Sequence, residues 1–161
     1  MEMEPFQIVT EPTKSLRERS RELSVDEITT PEFQQYLDRL THTMFVADGV
    51  GIASPQVGRN VRAIVVNMPK GAECFLNPEI IKASTGMTDS EEGCLSVPGK
   101  FGIVPRHKKV TVRALNRHGR RIEFDAKNFP AIIFQHEIDH LDGILFIDKA
   151  ISMLSAVKRH I

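Results

Sequence analysis

The run His136-Glu137-Ile138-Asp139-His140 restricts this chain more than any other five residues in it. On an α-helix two imidazoles four residues apart stand about 6 Å from one another on one face. Both can then bind a single metal ion at about 2.1 Å. The flanking sequence supplies the helix: Pro130 suits a first turn, and Gly143 can take the left-handed conformation that ends one. The spacing predicts a helix from Asn128 or Phe129 to about Asp142. Its apolar residues Ile132, Ile133 and Leu141 partly bury it, where two unpaired histidines would be unfavourable. Glu137 follows His136 by one residue and so projects about 100° around the axis, beside an ion held by the histidines. That position suits a base. Its carboxylate can accept a proton from metal-activated water, whose pKa falls from about 16 towards 7, and return it to a leaving amine.

A hydrolytic site of this kind has three protein ligands and one open position. No glutamate follows Glu137, and where a third histidine would extend the motif beyond Gly143 the chain has Phe146. His160 lies almost at the terminus, and Asp142 and Asp148 read as solvent-facing or capping groups. The remaining candidate is upstream, in Glu91-Glu92-Gly93-Cys94-Leu95-Ser96, read as a polar turn with an accessible thiol. Cys94 would complete a two-histidine, one-cysteine set, compatible with Zn(II) and Fe(II). Cys74, in the apolar run Cys74-Phe75-Leu76, reads instead as a small core side chain. In Gly49-Val50-Gly51-Ile52-Ala53-Ser54-Pro55-Gln56 two glycines permit close backbone approach, and the Gln56 amide can donate to a carbonyl oxygen. Taken alone, that segment is only a turn with an amide. Ile132 and Ile133 precede His136 by about one turn and are the expected pocket lining.

The 161 residues suffice for one domain, expected over 1–161, that buries roughly 70% of its unfolded-chain surface. Twenty-one basic and 21 acidic side chains cancel, which argues against nucleic acid or a membrane surface as the main partner. Two cysteines are too few for a disulfide scaffold, the N-terminus lacks the pattern of a secretory signal, and no apolar run approaches the roughly 20 residues of a membrane span. A cytoplasmic protein with reduced thiols is expected. Thr30-Pro31 starts a second helix whose stripe is Phe33, Tyr36, Leu37, Leu40 and Met44, ending at Gly49. Val61 to Asn67 and Cys74 to Ile81 read as strands, Lys109 to Asp125 as a hairpin turning at Asn116-Arg117-His118-Gly119, and the residues after Ile144 to Ile147 as a helical tail. Helices and strands do not alternate regularly. The expected class is therefore α+β, with mainly antiparallel or mixed sheets packed around a central helix carrying the His-Glu-x-x-His motif.

Together, Gly49 to Gln56, Glu92 to Ser96 and Gln135 to His140 resemble the three motifs of the peptide deformylases: Gly-x-Gly-x-Ala-Ala-Pro-Gln, Glu-Gly-Cys-Leu-Ser and Gln-His-Glu-x-x-His, in that order. The resemblance extends from about residue 8 to Lys149. It implies removal of the N-formyl group from the first methionine of new polypeptides, with release of formate. It also implies Cys94, His136 and His140 as metal ligands and Glu137 as general acid/base. Gln56 and the Leu95 N–H would bind the formyl oxygen, and Gly51 and Val50 would line the substrate cleft. The cofactor implied is one divalent ion, Fe(II) by family, with Zn(II), Ni(II) or Co(II) as alternatives. The small residues Gly49, Gly51 and Ala53 suggest a pocket too tight for an acetyl group. The partners implied are N-formylmethionyl nascent chains in a bacterial-type cytoplasm, an organellar or viral source remaining open. Ribosome docking, which many bacterial members achieve with a longer C-terminal helix, has only thirteen residues after Asp148 to rest on, with a basic cluster at Lys158, Arg159 and His160. One departure from the motifs is Ser54, where the family has alanine; little effect on activity is expected from it.

Overall fold

Ser24 accepts a hydrogen bond from the Glu27 N–H and starts a one-turn helix, α1 (Val25–Ile28). Thr30 does the same for Phe33 and, with Pro31 in the first turn, starts α2 (Pro31–Val46). The chain continues through β1 (Gly51–Ala53), a 3-10 turn over Ser54–Val57, β2 (Ala63–Met68), β3 (Gly71–Ala83), β4 (Met87–Cys94), β5 (Val97–His107), β6 (Lys109–Leu115) and β7 (Arg121–Lys127). It ends with α3 (Phe129–Leu141), α4 (Phe146–Lys149) and β8 (Ser152–Leu154). The computed structural model describes residues 2–155 and 161. Among them no helix is long and apolar enough to cross a membrane.

Two antiparallel sheets result, one in the order β1-β2-β3-β6-β7 and one in the order β4-β5-β8. Side chains alternate across a strand, and β2 uses both of its faces. Ile64 and Val66 join α3 residues Ala131, Ile133, Phe134, Ile138 and Leu141 in one core. Ala63 and Val65 join α2 residues Phe33, Tyr36, Leu37, Leu40 and Met44 in another. A strand covered on both sides reads as a continuous apolar run, as Ala63 to Val66 does. Each fully buried Leu, Ile or Phe in these layers contributes about 1.5–3 kcal/mol relative to exposure. Cys74 belongs to the α2 core, as its neighbours predict.

The helix carrying the motif is α3, which starts at Phe129, within the predicted start, and ends one residue before the predicted Asp142. Gly143 follows it at φ +74, and a Cβ there would lie 2.3 Å from the Arg17 carbonyl oxygen, so the position requires glycine. The hairpin is β6 and β7, with Asn116 Oδ1 accepting from the His118 and Arg120 N–H groups across the turn. Two expectations are corrected. Glu91 to Cys94 is strand, not turn, because it completes β4 against β5. The residues after Ile147 do not form one helical tail: α4 stops at Lys149 and the chain becomes β8 against β5, where Gly102 leaves room for the Ser152 carbonyl. Lys158, Arg159 and His160 lie outside the described residues. Asp148 caps α4 by accepting from the Leu145 N–H at 2.9 Å and also pairs with Arg17, while Asp142 pairs with Arg62 at 3.0 Å.

Candidate metal centre

α3 presents His136 and His140 on one face, with ring centroids 5.1 Å apart and planes at 72°. The end of β4 brings Cys94 against them, its Sγ 3.3 Å from His140 Nε2. One donor atom from each of Cys94, His136 and His140 lies within 4.8 Å of the others. All three residues are buried. Cys94 is thus not the accessible thiol expected of a polar turn. Its surroundings on β4 and β5 are a third apolar cluster, with Val97, Val104, Leu145 and Phe146.

Each donor is oriented from behind. His136 Nδ1 is 2.8 Å from Glu92 Oε1 and donates to it, which leaves Nε2 as the atom facing Cys94 and His140. Arg106 clamps Glu92 with two hydrogen bonds of 2.8 Å and reaches Asp139 with a third, and Lys149 meets Asp139 at 2.9 Å. Burial opposes ionisation of Glu92, but the hydrogen bonds from Arg106 and His136 hold its carboxyl down at about 2. His140 is pushed well below the usual imidazole range, by burial and then by the neighbouring His136 and Arg106 charges, into the neutral form that binds metals. For His136 burial again opposes charge, yet the neighbouring Cys94, the hydrogen bond to Glu92 and the Glu137 charge raise it.

Several buried atoms here have no hydrogen-bond partner among the described residues: His136 Nε2, His140 Nδ1 and both oxygens of Glu137. Unpartnered buried polar atoms are rare and unfavourable, and a carboxylate left this way is especially so. A cation beside the three donors would satisfy His136 Nε2 and stabilise the Glu137 charge, so the residues fit a metal ion. Burial raises Glu137 to about 7, against the lowering effect of His136. Gly51 makes space for this carboxylate: a Cβ there would lie 2.5 Å from Glu137 Oε2 and 2.8 Å from Ile133 Cγ2.

Gln56 is fully buried. Its Oε1 accepts from the Ala53 N–H at 2.9 Å, which turns Nε2 towards Ser96 Oγ at 3.2 Å and Cys94 Sγ at 3.6 Å. Leu95 follows Cys94 and its side chain packs beside Gly49. Val50 is partly buried and Ile133 fully so, in the α3 core. Ile132, partly buried against the same core, lines a cavity of about 410 Å³ walled also by Thr88, Lys108, Asn128 and Phe129. Residues that sequence reasoning passed over are the supports: Glu92, Ser96, Arg106 and Asp139. Glu92 and Asp139 sit inside the two motifs and could have been suspected as partners of buried donors. Nothing local in Val104-Pro105-Arg106 marks Arg106.

A sequence model described as polypeptide deformylase matches residues 5–156. A peptide deformylase from Syntrophomonas wolfei is 47% identical over 149 residues, 92% of this chain and 95% of the relative. One from Halothermothrix orenii is 50% identical over 135 residues, 83% of this chain and 86% of the relative. A class I type b peptide deformylase from Acinetobacter baumannii, solved with Met-Ala-Ser bound, superposes with a TM-score of 0.87 at 35% identity, covering 92% of this chain and 99% of that one. The Thermotoga maritima peptide deformylase gives 0.87 at 33% identity, covering 91% and 98%. With the fold, the buried Cys-His-His group and these likenesses in agreement, the chain belongs to the polypeptide deformylase family.

Proposed function

We propose that this protein hydrolyses the N-formyl group of N-formylmethionyl peptides at the Cys94, His136 and His140 site. The substrate amide and water yield formate and the free methionine amine. The observation that carries the assignment of the site is the meeting of three buried donors beside a Glu137 carboxylate with no hydrogen-bond partner among the described residues. An ion held by Cys94, His136 and His140, Fe(II) on this reading, with Zn(II), Ni(II) or Co(II) as substitutes, supplies Lewis acidity and lowers the pKa of water towards 7. Glu137 takes a proton from the attacking water and gives it to the departing amine, and a carboxyl poised near 7 exchanges protons readily in both directions. Gln56 Nε2 and the Leu95 N–H donate to the formyl oxygen as negative charge develops on it. Each such donor contributes about 2.7–4 kcal/mol to the transition state. Val50, Gly51, Ile132 and Ile133 hold the methionine side chain.

The site draws on both sheets and on α3, and we take residues 1–161 to act as one domain. Nascent chains as substrate imply a cytoplasmic site of action. The test is formate release from formyl-Met-Ala-Ser, the formylated form of the peptide bound to the Acinetobacter protein, beside acetyl-Met-Ala-Ser and an internal, blocked peptide. Turnover of the formyl peptide alone is expected. Comparable turnover of the acetyl peptide would remove the tight-pocket argument from Gly49, Gly51 and Ala53, and cleavage of the internal peptide would make the protein an endopeptidase.

A further inference from the structure

Ser54, the departure from the family motif from which the sequence alone suggests little effect on activity, has a partner that the sequence did not reveal and that revises that expectation for this chain. Its hydroxyl is fully buried and hydrogen-bonds the phenol of Tyr36, which reaches it from α2. Ser54 is also the first residue of the 3-10 turn that carries Gln56 two positions later. That turn is held elsewhere by its backbone, the Val9 N–H donating to the Gln56 carbonyl at 2.7 Å and the Arg59 N–H to the Ser54 carbonyl at 3.3 Å. The Tyr36 hydroxyl is its side-chain tie to α2. Tyr36 is itself a rigid support: its ring packs against Phe33 and Phe6 at centroid distances of 5.5 and 5.4 Å, and the Arg59 guanidinium lies over it at 4.4 Å.

We propose that Tyr36 is a positioning residue for deformylation, fixing through Ser54 the turn that aims the Gln56 amide. The inference rests on the reading above that Gln56 donates to the formyl oxygen. An oxyanion donor contributes in proportion to how well it is preorganised, and displacements of an ångström or less in such a group are felt in the rate. Removing either hydroxyl leaves the other buried without a partner, whereas removing both leaves an apolar contact that is nearly neutral for stability. Stability and catalysis therefore respond differently. Folding should recover in the double variant, while the aim of Gln56 should not.

The test compares Tyr36→Phe, Ser54→Ala, the double variant and Gln56→Ala, and then Tyr36→Phe in the Gln56→Ala background. Each metal-loaded protein is assayed for kcat and KM on formyl-Met-Ala-Ser, and for Tm. Tyr36→Phe and Ser54→Ala are each expected to lower kcat about 5- to 20-fold with KM within about twofold, by the scale of misplacement effects. The double variant should regain Tm but keep the low kcat of the single variants. In the Gln56→Ala background Tyr36→Phe should lower kcat no further, an effect that a merely structural role would not produce. If kcat recovers together with Tm in the double variant, or if Tyr36→Phe costs as much without Gln56 as with it, the proposal is wrong. If Gln56→Ala itself leaves kcat unchanged, both the donor role of Gln56 and this inference fail. If Gln56→Ala lowers kcat but the other variants match the wild type, only this inference fails.

Discussion

Glu137 is fully buried, both carboxylate oxygens without a hydrogen-bond partner among the described residues, and Gly51 leaves room for it. A side chain so placed destabilises the fold unless a nearby charge or a reaction makes use of it. Glu137→Ala is expected to lower kcat about 10²- to 10⁴-fold, the usual weight of a general acid/base, while metal analysis finds one ion per chain as in the wild type. Unchanged turnover would remove Glu137 from the chemistry. Gly51→Ala would press a methyl group onto the Glu137 carboxylate and Ile133, and neither can retreat within a packed helix. At least a tenfold loss of kcat/KM is expected, since about 1.4 kcal/mol of lost transition-state binding is already tenfold. At this scale the sequence was legible where spacing carried the information: His136, Glu137 and His140 share a helix, and the residues after them exclude a downstream ligand. It was misleading for Cys94, whose polar neighbours suggested exposure. Those neighbours are polar because they serve the site, with Glu92 turned inward to His136 and Arg106.

α3 and the β6–β7 hairpin were readable because their signals are local: Pro130 and Gly143 at the ends of one, Asn116 and Gly119 in the turn of the other. β4 was not. Its inward positions include Ser90 and Glu92, so the apolar alternation that identifies a half-buried strand is missing. β8 depends on close approach at Gly102, a contact between distant parts of the chain. The element-level consequence of β4 is that one carboxylate joins it to α3 and β5. Glu92→Gln should weaken metal affinity about 10- to 100-fold, the scale found for carboxylates behind metal-binding histidines. Competition with a metal indicator measures this, and an affinity equal to wild type would leave the Glu92 contact without a role in the site. Because Glu92 is held at about 2 in the folded protein, against its ordinary 4.5, its contribution to stability is present above 4.5 and lost as pH falls from there towards 2. Thermal unfolding of the wild type should show that acid limb, and Glu92→Gln should flatten it.

For the molecule as a whole, the site is where two sheets and a helix meet, with donors whose unsatisfied atoms face one another. Metal removal should accordingly lower Tm, and by an amount that depends on pH. In the metal-free protein Glu137 titrates near 7 rather than 4.5, so the folded chain holds a proton that the unfolded chain has released. Stability from this group is complete below 4.5 and declines as pH rises through 7. A cation at the site favours the carboxylate and removes that decline. The difference in Tm between loaded and metal-free protein should therefore widen from pH 5 to pH 8, and Glu137→Gln should abolish the part due to Glu137.

The most direct test is formate release from formyl-Met-Ala-Ser by protein purified without oxygen, stripped by a chelator, and then given Fe(II) in steps. The account predicts no release above background from the stripped protein and recovery that saturates at one ion per chain, with Cys94→Ala failing to recover. Full turnover by the stripped protein, or none after one equivalent of Fe(II), Zn(II), Ni(II) or Co(II), would contradict it.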